Sequence, residues 1–192
     1  MQNLKNNDLS KTITSGIDNF DNKKNYLTTS DVKNNKINHF PKKINFKNRD
    51  SRANMQPIAN SVWFAKMKDS KKILLFADYS ENYLDSFILS TGFAGLHCKK
   101  NSIYYIWNFI NDINFEETKN NKSLGATQEA INNDGISYID LLIPPDYILD
   151  MFYSQTNSIY QKIYKNQLML HEYVKLRDWL LSLLMLGQAK IN

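Results

Sequence analysis

Apolar and polar residues alternate in short stretches over the first half of the chain, a pattern typical of β-strands. Four strands are predicted in this way, at 25–30, 36–40, 61–66 and 72–77. The polar run 67–71 predicts a tight hairpin turn between the last two. Residues 86–98 are β-branched and aromatic and include Gly92 and Gly95, which predicts a bent or bulged strand pair.

Helical spacing first occurs at 103–110, directly after Ser102, which is a plausible N-cap. Three further segments are predicted before residue 146: a polar, charged loop at 111–122, a small-residue turn at 123–128, and a buried strand at 136–143. The pair Pro144–Pro145 is expected to end that strand.

A long helix is predicted from Asp146 to about Leu186, because no Pro or Gly interrupts this stretch. The spacing of three and four residues defines a heptad seam, with Asn166 at one core-facing position. The seam is formed by Leu149, Phe152, Thr156, Ile159, Ile163, Asn166, Leu170, Tyr173, Arg177, Leu180 and Leu184. At ~1.5 Å per residue, such a helix extends about 60 Å. The rest of the sequence predicts no second helix of this length, so a partner helix is expected from another molecule.

These elements predict an α+β fold with three parts. Residues 1–10 are expected to be a disordered lead-in, and 11–145 a mixed α/β domain of short twisted strands. Residues 146–187 are expected to be one long C-terminal coiled-coil-type helix, ended by Gly187 as a C-terminal cap. Hydrophobic residues make up 42% of the chain, enough to bury a core.

Basic residues are concentrated in the first third of the chain. Residues 1–60 contain 11 Lys/Arg, 5 Asp/Glu and 13 Asn, whereas the formal net charge of the whole chain is +5. A surface rich in Asn and Lys can bind phosphates and base edges. It can equally reflect a compositional habit of the source genome.

The sequence excludes several kinds of site. Cys98 is the one cysteine, and His39, His97 and His171 lie far apart, so neither a disulfide nor a metal site is expected. No signal peptide is apparent, and no apolar run approaches the ~20 residues that span a bilayer. We therefore expect a cytoplasmic protein without membrane association.

Catalytic motifs are weak. The segment from Ile143 to Tyr147, Ile-Pro-Pro-Asp-Tyr, has a superficial likeness to the Asp/Asn-Pro-Pro-Tyr/Phe motif of amino-methyltransferases. In that motif a carboxylate or amide holds the target amine, and Ile143 cannot do this. A glycine-rich S-adenosylmethionine loop is also missing. No catalytic residue is predicted, and a stand-alone methyltransferase stays as an alternative that Ile143 argues against.

Candidate DNA contacts occur in two clusters. The loop 47–54 carries guanidinium and amide groups that can pair with guanine and adenine, and lysines surround the predicted hairpin tip. The candidates are Arg49, Arg52, Asn54, Lys66, Lys68, Lys71 and Lys72, with Lys99, Lys100 and Lys122 as outer phosphate neighbours. Ordinary polar surface is the alternative interpretation of the same residues.

The order of several segments resembles the target-recognition domain of specificity subunits in Type I restriction–modification systems. The likeness spans about Lys11 to Gln188. The matching segments are 49–56, 63–72, 90–96, the Gly-x-Thr-Gln turn 125–128, the helix entry 143–145, and the helix ending 176–188, the most specific of them. Asp50 and Ser182 stand where the family often has Pro. The sequence also holds one recognition domain and one spacer helix, where full-length members have two of each.

The resemblance implies a non-catalytic, half-length specificity subunit that reads one half of a bipartite site on double-stranded DNA. Such subunits dock modification subunits, which bind S-adenosylmethionine and methylate adenine, and restriction subunits join that core. The chain itself is expected to hold no cofactor. It would pair as a homodimer or with another specificity chain through Phe152, Ile159, Ile163, Asn166, Leu170, Tyr173, Trp179, Leu180 and Leu184.

Two points stay open at this level. The apolar helix end at Trp179, Leu180 and Leu184 is expected to pack on a modification subunit or a partner helix, although packing onto its own domain is the alternative. The chain can also be a truncated or recombination-cassette module that pairs through its helix without reading DNA.

Overall fold

A computed structural model describes residues 1–37, 41–80, 84–125 and 129–187. The chain divides into two compact units, residues 1–153 and residues from 154 onward. The first unit holds all twelve strands described: β1 Gln2–Asn3, β2 Ser10–Thr12, β3 Lys24–Leu27, β4 Val32–Lys33, β5 Lys36–Ile37, β6 Lys42–Ile44, β7 Ala53–Met55, β8 Ser61–Ala65, β9 Ile73–Phe76, β10 Phe87–Ser90, β11 Phe93–Cys98 and β12 Asp140–Leu141. The helices are α1 Ile103–Asn111, α2 Ile113–Asn121, α3 Asn133–Ser137 and α4 Asp146–Met185. The predicted α+β class is confirmed.

The first unit contains two four-stranded sheets, in the orders β6-β3-β10-β7 and β2-β11-β8-β9, and the two-stranded pairs β1-β12 and β4-β5. One hydrophobic cluster takes residues from both sheets, among them Leu27, Trp63, Leu89 and Phe93. This part of the core therefore lies between the sheets. The predicted hairpin at 61–77 is confirmed, since β8 and β9 pair antiparallel on either side of a turn.

Trp63 is the largest fully buried side chain, and its position depends on Gly95. The indole Nε1 donates a hydrogen bond to Ser61 Oγ at 2.8 Å. A Cβ placed on Gly95 would lie 2.6 Å from atoms of the indole ring. Only a residue without a side chain permits this approach between neighbouring strands.

The prediction of a disordered lead-in over residues 1–10 is wrong. β1 pairs antiparallel with β12, and the side chains of Leu4 and Leu9 are 0% and 2% exposed. Asn7 Oδ1 accepts hydrogen bonds from the backbone N–H groups of Leu9 and Ser10. The Asn-rich composition therefore supplies backbone partners for an ordered turn, and the two leucines anchor it.

The segment 86–98 forms two strands, but they do not pair with each other. β10 pairs parallel with β3 and antiparallel with β7, where the register shifts between Leu89 and Ser90. β11 lies in the other sheet, between β2 and β8. The turn at Thr91–Gly92 therefore carries the chain from one sheet to the other, a choice made by strand partners distant in sequence.

Two further local predictions are wrong. Residues 113–121 form helix α2 rather than a loop, because Asp112 caps it by accepting from Asn114 N, and Phe115 and Lys119 are buried one turn apart. The predicted strand 136–143 is instead α3 followed by the two residues of β12. Helix α3 begins where Asn132 Oδ1 accepts the N–H of Gly135 at 2.7 Å.

Some predictions on turns and caps are settled only in part. Ser102 directly precedes α1, but its Oγ donates to the carbonyls of Leu9 and Lys99 and forms no cap. Of the predicted strand 36–40, β5 covers Lys36–Ile37, and 38–40 lie outside the described residues. Residues 126–128 of the predicted Gly-x-Thr-Gln turn also lie outside them.

The long helix is confirmed as α4, which follows Pro144–Pro145 directly. Gly187 has a φ of 67°, and its N–H donates to the carbonyl of Leu184, which is a C-terminal cap. The first two turns belong to the first unit, where Leu149 is buried and Tyr153 stacks on Tyr104 with ring centroids 5.4 Å apart. None of the described helices is apolar over enough length to cross a bilayer.

Candidate nucleic-acid interface and exposed helix seam

The predicted seam of α4 carries large apolar side chains that are exposed. The apolar members from Ile159 onward are between 38% and 60% exposed: Ile159, Ile163, Leu170, Tyr173, Leu180 and Leu184. Trp179, which lies beside the seam near the helix end, is 57% exposed. Asn166 is also exposed, and Phe152 is half-buried within the first unit. Exposed apolar surface of this extent marks an interaction site on a protein surface.

The last turns of α4 are the most apolar part of the helix. A shallow groove of about 360 Å³ runs along it, lined by Tyr173, Leu176, Arg177, Leu180, Leu181 and Leu184. Met185 and Leu186 just beyond are also exposed. An amphipathic helix that packs against one partner needs one apolar stripe along its length. Apolar side chains on several sides of this helix end therefore suit contact with more than one helix or domain.

The hairpin tip between β8 and β9 is fixed by helix α2. The Lys119 side chain is 1% exposed, and its Nζ donates to the carbonyls of Ala65 at 3.3 Å and Ser70 at 3.2 Å. These carbonyls lie on opposite arms of the hairpin. Burial lowers the pKa of Lys119, while the neighbouring carboxylate of Glu116, 2.8 Å away, acts in the opposite direction.

Lys119 and Glu116 were missed as functional residues because 111–122 was predicted to be a loop. The signal was available: an Asp N-cap, followed by Phe115 and Lys119 at a spacing of four. One ammonium group satisfies two backbone carbonyls and one carboxylate. The pair therefore sets the conformation of the tip.

The lysines at this tip are largely engaged within the domain. Lys68 forms an ion pair with Glu129, and this pair raises the pKa of Lys68. Lys71 Nζ donates to the carbonyl of Asn111 at 2.7 Å, and Lys72 Nζ to that of Thr29 at 2.6 Å. Each of these two ammonium groups keeps further N–H donors for a phosphate, but the bond to a backbone carbonyl restricts where the side chain can reach.

The remaining tip lysine, Lys66, is half-buried, and burial lowers its pKa. Its backbone N–H donates to the carbonyl of Gly92 at 2.9 Å, and the N–H of Thr91 donates to that of Arg52 at 2.8 Å. These bonds connect the loop 49–54, the turn 91–92 and the hairpin tip. The structure therefore brings Arg52 and Lys66 to one end of the domain.

Arg49 and Asn54, in the same loop, differ from Arg52 in their surroundings. The Arg49 guanidinium lies 4.0 Å from the ring centroid of Phe46 and donates to the Phe46 carbonyl at 3.0 Å. Asn54 is half-buried, and its carbonyl accepts the N–H of Gly16. The Arg52 side chain is exposed and has no partner within the described ranges. Of the three, Arg52 is best placed to reach a ligand.

Lys99 and Lys100 lie at the other end of the sheet. β11 runs antiparallel to β8, with Phe93 opposite Ala65 and His97 opposite Ser61. Five residues at ~3.3 Å each separate this end from the tip by about 17 Å. Lys100 also forms an ion pair with Asp78 at 2.8 Å. The structure does not bring these two lysines to the tip.

Lys122 follows helix α2 and lies 5.6 Å from the ring centroid of Tyr138. Neighbouring Asn120 exchanges two hydrogen bonds with Asp69 of the tip, which places this end of α2 beside the hairpin. Over the described ranges, no group of three or more His, Cys, Asp or Glu side chains could hold a metal ion.

Comparisons with known proteins identify the fold. No protein-family model matches the chain, and no curated protein matches it. A solved chain from a study of complex assembly and conformational transition of the type I R-M system matches with a TM-score of 0.55 and 15% identity, over 97% of this chain and 52% of the other. The HsdS subunit from Thermoanaerobacter tengcongensis matches with a TM-score of 0.55 and 19% identity, over 83% of this chain and 41% of that one.

The chain thus spans about half or less of the length of these solved chains. At this identity the likeness concerns the fold. It agrees with the resemblance seen in the sequence, which was drawn from the order of short segments and from the helix ending. The chain has the fold of the HsdS subunit of type I restriction–modification systems.

Proposed function

We propose that this chain acts as a specificity subunit of a type I restriction–modification complex, without catalytic activity of its own. It reads one half of a bipartite DNA site and docks the methyltransferase subunit, which carries the S-adenosylmethionine. The observation that carries the proposal is the HsdS fold joined to a helix of 40 residues with an exposed apolar seam.

Methylome sequencing of cells with and without the gene tests this proposal. A reader of DNA directs adenine methylation to one motif, so that motif is methylated only in cells that have the gene. Identical methylomes would contradict the proposal and favour a module that pairs through its helix without reading DNA. Methyl transfer by the purified chain alone would instead establish a stand-alone methyltransferase.

The exposed seam supports pairing of α4 with the same helix of a second copy. Two copies related by a two-fold axis present two identical recognition domains, which favours a palindromic bipartite target. Asn166 in the seam is suited to fix the register of the two helices, since polar residues at core positions specify alignment. A different specificity chain could supply the second helix in the same way.

The double variant Ile163→Asp/Leu170→Asp is expected to weaken self-association at least about a hundredfold, because each seam residue buries apolar surface worth about 1.5–3 kcal/mol per copy. Light scattering across a concentration series measures the change. Ser158→Asp/Gln161→Asp introduces the same charge on the same helix but off the seam, and should associate like the natural chain. A natural chain that is monomeric at micromolar concentration would overturn the homodimer.

A further inference from the structure

A second hairpin, which is not among the elements predicted from the sequence, carries two lysines opposite each other. β4 and β5 pair with Val32 opposite Ile37 and Lys33 opposite Lys36, so Asn34 and Asn35 form a two-residue turn. Asn34 has a φ of 54°, in the left-handed region that Asn tolerates better than most residues. Lys33 to Lys36 are all exposed.

The two lysines are directly opposed across the strands. Like charges at this position destabilise a hairpin. Neither ammonium group has an ion pair or hydrogen bond to any part of the chain that the structure describes, whereas Lys68, Lys71 and Lys72 of the first hairpin are all engaged. Binding a polyanion would remove this repulsion without breaking an existing contact.

The hairpin is anchored to the domain rather than loosely attached. Val32 is 2% exposed, and the carbonyl of Asn34 accepts the N–H of Ile73 at 2.7 Å. An open depression of about 270 Å³ lies beside the turn, lined by Asn34, Asn35, Lys71, Ile73 and Asn111. The turn therefore has a defined orientation and lies beside the first hairpin.

We propose that the β4–β5 hairpin enters the major groove of double-stranded DNA, with Lys33 and Lys36 on phosphates and Asn35 on a base edge. The major groove, about 12 Å wide, admits a two-stranded ribbon whose strands are about 4.8 Å apart. Asn pairs bidentately with adenine there. This rests on the proposed function and names the element that reads the site.

The variant Lys33→Ala/Lys36→Ala, in complex with the modification subunit, tests the phosphate contacts. Binding to a duplex of mixed sequence is measured against salt concentration. Loss of two phosphate contacts should flatten the log–log slope by about 1.8, at ~0.9 per contact. Lys42→Ala/Lys43→Ala removes the same charge from exposed positions of β6 and should leave the slope unchanged.

Selection from a duplex pool of random sequence tests the base contact. Asn35→Ala should lose preference for adenine at one position, by roughly tenfold to a hundredfold, and keep the other positions. Circular dichroism checks that each variant is folded. Tighter binding to duplex RNA or to anionic vesicles than to DNA would overturn the assignment.

The two proposals can fail separately. Suppose that the natural complex selects one motif and that both hairpin variants keep its salt dependence and its sequence preference. The hairpin assignment is then wrong, while the proposed function stands. If the natural complex selects no sequence from the pool, both are wrong.

Discussion

Lys119→Met is expected to lower the free energy of unfolding by about 3–5 kcal/mol, because it leaves a largely buried carboxylate without its partner. Glu116 is 13% exposed, and its Oε1 meets the ammonium at 2.8 Å with no other hydrogen-bond partner in the described structure. The carbonyls of Ala65 and Ser70 lose a donor at the same time. Equilibrium urea unfolding measures the loss.

Two comparison variants show whether the cost arises from the buried pair. Glu116→Gln/Lys119→Met removes both charges and should recover a large part of the lost stability, since it leaves no unpaired ion. Lys122→Met changes an exposed cation just after the same helix and should stay within about 0.5 kcal/mol of the natural chain. If Lys119→Met were as stable as Lys122→Met, the Lys119–Glu116 pair would not anchor the tip.

Gly95→Val is expected to cost about 3 kcal/mol, since overpacking of a filled core commonly costs 1–3 kcal/mol and occasionally more. The new Cβ would lie 2.6 Å from atoms of the Trp63 ring, which is 0% exposed and held by its bond to Ser61. Strand propensity alone predicts that Gly95→Val raises the free energy of unfolding, because Val is favoured over Gly in strands. Denaturant unfolding therefore separates the two effects.

His97→Val is the matched control, because His97 follows two residues later on β11 and is exposed. It should stay within about 0.5 kcal/mol of the natural chain. Trp63→Leu/Gly95→Val should lose less stability than the two single variants lose together, since the smaller leucine side chain would leave room for the new valine. Additive losses would mean that the two residues do not compete for the same space.

The long helix and the β8–β9 hairpin could be predicted from the sequence because their signals are local and repeated. Helix α4 has forty residues without Pro or Gly and a seam that recurs every three or four positions, so no distant contact is needed to define it. The hairpin joins neighbouring strands through a short polar turn. The resemblance to a known family likewise depended on short segments in order, and the fold agrees with it.

The tertiary structure alone decided which strands pair and which charges face solvent. β10 and β11 are neighbours in sequence but lie in different sheets, because their partners come from distant parts of the chain. The Asp N-cap and the spacing of Phe115 and Lys119 indicate a helix at 113–121, but only the folded domain shows that both side chains are buried. Residue type predicts Lys71 and Lys72 as DNA contacts, and folding adds that both donate to backbone carbonyls and that Lys33 lies opposite Lys36. Local spacing determines an element, but its neighbours are fixed by contacts between residues far apart in the chain.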